Sequence, residues 1–384
     1  MLAYKDLVAD VINNGKLVNT GKGKTKRLIG AMVRYDVANN LPAVTGKKTN
    51  INWALLEMAM FIKGEHHTDF LKPYGAEKIW EKQALTNDFV VNRPISPVLV
   101  LEQYSKVSGL TPEEAKAKFE EVVTKYHLRM QEIGQEFQVT DPNQSFDEVA
   151  FKSKMDENQA EFEKFFSDLG IAIYEPHTVI TKGEMGPTYG AQWRNWLAID
   201  PQSGTKVYVD QIKEVLWKLE NLPDSRQNIL SAWNPAVIAR ENIPYDRKII
   251  AGYMGQPPCH LITQFLTDVD EEGNRTLNAV LFIRSNDLAL GHPFNVVGYA
   301  ALLHLIAAKF KWAVGELVVQ IGDAHIYENH LEGMKTYLYD RPIHTPPTFK
   351  LAEGVDIDNF TVEDLFAAVG EYTHEAYMPF EINV

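Results

Sequence analysis

The sequence predicts an α+β fold, with strands and helices sharing one core, into which an acidic helical subdomain is inserted over 100–170. Three observations predict it. Beyond residue 171, the β-rich runs "NILSAWN", "LITQFLTDVD" and "LNAVLFIRS" stand beside a long apolar helical stretch, "NVVGYAALLHLIAAKF". Residues 51–63, "INWALLEMAMFIK", are too apolar for a helix with one wet face and read as a buried helix. Residues 101–170 hold 15 Asp and Glu against 8 Lys and Arg, so more than half of the chain's net charge of −13 lies in one amphipathic segment.

The elements follow in order. The insertion opens at Thr111 as N-cap, with Pro112 at the first helical position and Glu114 placed for a capping box. A turn-rich break, "TDPNQS" (140–145), separates this helix from a second, which Gly170 ends. "VYVDQIKEVLWKLEN" (207–221) reads as helix, and "GELVVQIGDAHIY" (315–327) as a strand leading into a site loop. The catalytic domain is therefore expected over 1–99 and 171–384, with 100–170 as the inserted subdomain.

Composition bounds the function. A chain of 384 residues, 45% hydrophobic and 23% charged, has material for a large core. Its acidity argues against broad nucleic-acid binding, which needs a basic footprint. One cysteine allows no internal disulfide and suits a reducing cytoplasm. The N-terminus lacks the basic-then-apolar pattern of a signal peptide, and "YAALLHLIAAKF" reads as too short and interrupted to span a bilayer.

Cys259, in "QPPCH", is the lone sulfur nucleophile. Two prolines fix the backbone before it and withhold amide hydrogens. A thiolate needs positive charge or donors nearby. His260 is adjacent, but neighbours on a strand face opposite ways, so arginines from elsewhere are equally plausible partners. Glu57 sits inside "ALLEMAMF", where a carboxylate must be hydrogen-bonded or have a raised pKa. It is a candidate acid/base group, with a structural ion pair as the alternative.

"IRSNDLALGHPFN" gathers Arg284, Ser285, Asn286, Asp287, His292 and Asn295. It is either a polar site or a satisfied turn with an N-cap at Asn295. In "GDAHIYENH", alternation puts His325 and Tyr327 on one face, and no ligand spacing supports zinc. "GKGKT" (21–25) is not a Walker motif, since Val18 stands where glycine is needed. It can still hold one phosphate with amides and lysines. "GEHHTDF" (64–70) reads as a solvated turn rather than a metal site.

"LLEMAMFIKG", "KIW", "GEMGPTYGAQWRNW", "PDSRQNILSAWN", "QPPCH", "RSNDLALGHPFN" and "GDAHIYENH", in this order, resemble thymidylate synthase and its nucleotide hydroxymethylase relatives. The resemblance implies a mixed sheet, a homodimer, and one-carbon transfer from 5,10-methylenetetrahydrofolate to dUMP, with no metal, membrane or nucleic acid. It implies that Cys259 attacks pyrimidine C6, that Glu57 is the acid/base group, and that Tyr189 and His260 shape the water network. Arg284 and Ser285 would bind phosphate, with Arg226 reaching the partner subunit's phosphate. Asn295 would read the base, His325 and Tyr327 the sugar hydroxyl, and Gln264 would join this substrate set. Trp80, Ile79, Asp287, Leu290, Gly291 and Lys47 would contact the folate, with Asp287 also catalytic.

The chain departs from the family pattern in places. Asn19 stands where a phosphate arginine is usual, which shifts attention to Lys22, Lys24 or Arg27. Gln83 replaces a tryptophan, and Gln227 replaces the second arginine after "PDS". "LNAVLFIRSND" and "RLIGA" look closer to viral hydroxymethylases, which favours 5-hydroxymethyl-dUMP as product. Asn295, an amide that donates and accepts at once, suits uracil. A synthase making dTMP, and a nucleotide-binding homologue without turnover, are the alternatives.

Overall fold

The computed structural model describes residues 2–21, 23–91, 95–138, 147–174 and 178–382. Lys22 and the break expected at 140–145 lie outside the described residues. The chain divides into two units, Met1–Asn87 with Thr181–Val384, and Asp88–Ile180.

The first unit begins with α1 (Leu2–Asn14), β1 (Lys16–Thr20), β2 (Gly23–Asp36) and α2 (Ile51–Ile62). The second unit contains β3 (Phe89–Val91), α3 (Pro97–Val107), α4 (Pro112–Glu136), α5 (Glu148–Ser167) and β4 (Thr178–Ile180). The first unit then resumes with α6 (Gly190–Arg194), β5 (Trp196–Ile199), β6 (Lys206–Val209), α7 (Gln211–Asn221), β7 (Ile229–Ser231), α8 (Tyr245–Ile250), β8 (His260–Val269) and β9 (Arg275–Asp287). It ends with α9 (Gly291–Phe310), β10 (Ala313–Tyr327), α10 (Leu331–Asp340) and α11 (Val362–Ala367).

A six-stranded mixed sheet of order β1-β2-β10-β9-β8-β7 organises the first unit, parallel only between β10 and β9. Alternation sets its faces. Leu277, Ala279, Leu281 and Ile283 of β9 point into the core, as do Leu317, Val319 and Ile321 of β10. Helix α9 lies against β9 and β10 and also packs on α2. By length and composition α9 could cross a membrane, contrary to the reading of its apolar run as too short, but most of it is buried within this unit.

Three expectations change. Helix α9 starts at Gly291, so Asn295 lies inside its first turns rather than capping it. The Asp287 Oδ1 accepts the N–H groups of Ala289 (2.8 Å) and Leu290 (3.3 Å), which organises the turn earlier in the chain. "VYV" belongs to β6, paired with β5, and Asp210 then caps α7 by accepting from the Lys213 N–H. Strand β10 runs through Tyr327 as expected, held by β2 and β9. The 64–70 turn is also less solvated than expected. Thr68 is buried, and His66 Nδ1 lies 2.6 Å from Glu184 Oε1.

In the second unit, β3 pairs with β4 near its two ends. The capping box at Thr111 and Glu114 is present. Helix α3, absent from the expected helical pair, adds Val100 and Tyr104 to a small core with Phe119, Phe166 and Ile171.

Candidate active site

Cys259 ends the Pro257–Pro258 segment just before β8 and is half-buried. The prolines lack N–H groups but keep their carbonyls. Arg284 on β9 binds both, through Nε to Pro258 O (2.8 Å) and Nη2 to Pro257 O (3.0 Å). The Arg284 backbone N–H donates to Cys259 O (2.8 Å), and its guanidinium lies 5.7 Å from the centre of the Trp233 ring. A fixed cation therefore sits on the two residues before the sulfur.

The Cys259 N–H donates to Tyr189 Oη (2.7 Å). Tyr189 has φ 28°, a strained value for a residue with a Cβ. Its ring stacks on His260 (4.2 Å) and Phe61 (4.4 Å), which holds it there. His260 points into the core with Nδ1 2.8 Å from Tyr299 Oη. Burial pushes its pKa down to about 3, so it is neutral at pH 7. It supplies no positive charge to the cysteine.

Glu57 is presented by α2, and the Trp80 Nε1–H donates to its Oε1 (2.9 Å). Burial pushes the carboxyl up to about 7, against the Trp80 hydrogen bond. Burial also raises the phenols of Tyr189 and Tyr299; their smaller causes include Cys259 for Tyr189 and Glu57 for both. These groups therefore form one electrostatic cluster.

A second group adjoins it. Burial pushes Tyr327 up to about 12, with Asp287 and then Cys259 adding to the shift. Lys47 is buried, and desolvation lowers it to about 8 against the pull of Asp287. A Cβ at Gly291 would lie 3.9 Å from both Asn295 Nδ2 and Asp287 Cβ. The Asn295 amide makes no side-chain hydrogen bond among the described residues. His325 and Tyr327 are edge to face at 5.2 Å, as alternation predicts.

Ser285 pairs in register with Asp323. Ile79 and Trp80 follow one another in the 3-10 turns after α2, and Leu290 and Gly291 stand at the start of α9. Arg226 and Gln264 belong to the β7–β8 edge. Arg226 is exposed, and Gln264 Nε2 donates to its carbonyl (2.8 Å). Arg27 pairs with Asp323 (3.0 Å) and Lys24 with Glu328 (3.9 Å).

Sequence reasoning missed Tyr299, Trp233 and Tyr35, the last joined to the expected pair His292 and Asn286 in a buried chain. Tyr299 carried a signal, since a phenol inside "NVVGYAALL" needs a hydrogen-bond partner as surely as Glu57 does.

A half-buried thiol, a cation bound to the two residues before it and a buried carboxyl near neutrality are the groups that mark this region. The family model for thymidylate synthase matches residues 2–384. A thymidylate synthase from Staphylococcus haemolyticus (strain JCSC1435) is 31% identical over 378 residues, covering 97% of this chain and 96% of that protein. The chain belongs to the thymidylate synthase family, whose members are one-carbon transferases acting on dUMP with methylenetetrahydrofolate.

Proposed function

We propose that this protein makes 5-hydroxymethyl-dUMP, by one-carbon transfer to C5 of dUMP followed by addition of water. One observation carries the water step. Gln83 is buried, 8% exposed, and its Oε1 has no hydrogen-bond partner among the described residues, in the short turn that follows Trp80. A buried acceptor calls for a donor, and water supplies one.

In this reading the Cys259 thiolate, favoured by Arg284, adds to C6 and later leaves. Glu57, near half-protonated at neutral pH, holds or moves a proton at the pyrimidine. Asn295 accepts from N3–H and donates to O4. Tyr327 and His325 meet the sugar hydroxyl, and Arg284 and Ser285 the phosphate. Trp80, Ile79 and Leu290 offer an apolar wall for the folate. Asp287 Oδ2, without a hydrogen bond among the described residues, fits its amino groups. The folate supplies the one-carbon unit; Lys47, Gly291 and Asp287 belong to its side of the site.

A homodimer fits the outer sheet face. Met32, Gln320, Phe282 and Ile262 form one cross-strand row there. The three apolar members are 57%, 37% and 41% exposed. Such a patch calls for a covering partner. Arg226 is exposed at the edge of the same sheet, which suits a role in the partner subunit's phosphate site. The reducing cytoplasm suits the free thiol.

The 31% identity to a synthase favours a second reading, dTMP formation with dihydrofolate as co-product. Product mass together with near-ultraviolet absorbance separates the two. Hydroxymethylation gives a product one oxygen heavier than dTMP and no dihydrofolate signal. A methylated product with a rising signal would overturn it.

A further inference from the structure

Asp323 divides its carboxylate between two partners. Its Oδ1 lies 3.2 Å from His325 Nδ1, and its Oδ2 accepts from Arg27 Nη1 at 3.0 Å. Arg27 stands directly opposite His325 in the β2–β10 ladder, so the three groups meet on one patch of sheet. His325 Nδ1 also lies 3.3 Å from the Asp323 carbonyl oxygen. Neither oxygen donates, so Nδ1 carries the hydrogen and a neutral ring leaves Nε2 as an acceptor.

We infer that Arg27 and Asp323 are positioning residues that fix His325 in this tautomer and thereby select nucleotides bearing a 3′-hydroxyl. The inference rests on the proposed reading in which His325 and Tyr327 face the sugar. A hydroxyl both donates and accepts. It gives its hydrogen to His325 Nε2 and accepts from the Tyr327 phenol, which stays protonated throughout the neutral range.

Arg27 has a definite part in this. It holds Asp323 Oδ2, which leaves Oδ1 turned toward His325 Nδ1. Together His325 and Arg27 hold the Asp323 carboxyl below its usual range, against the opposing effect of burial. The orientation is shared as well, since each carboxylate oxygen is committed to a different partner.

The test compares kcat/KM for dUMP and for 2′,3′-dideoxy-UMP, read as tritium release from C5, a step that both proposed reactions share. The parent should prefer dUMP by about a hundredfold. Arg27→Gln and Asp323→Asn should each cut that preference about tenfold, mostly through loss on dUMP, whereas Arg27→Lys should keep most of it. The ratio is independent of the fraction of folded protein. A parent with no preference would remove the reading of His325 as the sugar contact. A parent with a preference that both neutralising variants retain would overturn the role of Arg27 and Asp323 alone.

Discussion

At Glu57, burial raises the carboxyl from 4.5 to about 7. The folded state holds this proton more tightly than the unfolded chain does. The resulting stability is complete below pH 4.5 and is lost as pH rises through 7, by about 3 kcal/mol in all. Denaturant titrations of the parent and Glu57→Gln should therefore diverge over this window, with the parent losing stability relative to the variant as pH rises. His260 acts in the opposite sense. Its pKa falls from 6.5 to about 3, so it destabilises the fold as pH drops through that range. Comparing variant with parent cancels this contribution. In turnover, Glu57→Gln should cost about 10²–10⁴-fold in kcat, read as tritium release from C5. The sequence exposed Glu57 because a carboxylate among apolar neighbours is anomalous by composition alone. It could not disclose the Trp80 hydrogen bond, which joins residues 23 apart through a turn with no periodic signal. Nor could it choose between His260 and Arg284 as the charged neighbour of the cysteine segment. That choice depends on which face of β8 each meets.

At the scale of elements, the site depends on how closely α2 approaches α9. Gly298 allows that approach, since a Cβ there would lie 3.1 Å from Met58 Cε, 3.2 Å from Met58 Cβ and 3.5 Å from Ala54 O. Gly298→Leu should cost about 2 kcal/mol, seen as a lower unfolding midpoint. It should also lower turnover, because α2 carries Glu57. Gly186 is tighter. It has φ +74°, and a Cβ would come within 2.2 Å of Tyr253 O, so Gly186→Ala should destabilise by about 3 kcal/mol in the same measurement. The buried helices and the strands β8 and β9 were legible because hydrophobic period and burial agree there. Strand β6 was not, because three residues of alternation run straight into the stronger helical pattern of α7. The start of α9 was misplaced because Asp287, not Asn295, organises the turn.

For the whole molecule, the exposed apolar row on the outer sheet face predicts a dimer. Phe282→Lys should shift light-scattering mass toward one chain. If Arg226 serves the partner's site, mixing Arg226→Ala with Cys259→Ser should restore roughly a quarter of the parent activity, since one good site reforms in each mixed dimer. Retained inactivity after subunit exchange would argue against that sharing. The second unit, with its own small core, was visible in the sequence through charge and capping. Its short strand pair β3–β4 was not, because each strand is three residues long and its partner lies far along the chain. The central claim concerns the bond at Cys259. Intact-mass analysis under denaturing conditions, after incubation with 5-fluoro-dUMP and methylenetetrahydrofolate, tests it most directly. The account predicts a stable adduct on the peptide bearing Cys259 and none in Cys259→Ser. An unmodified parent chain, or an adduct that survives the serine substitution, would contradict it.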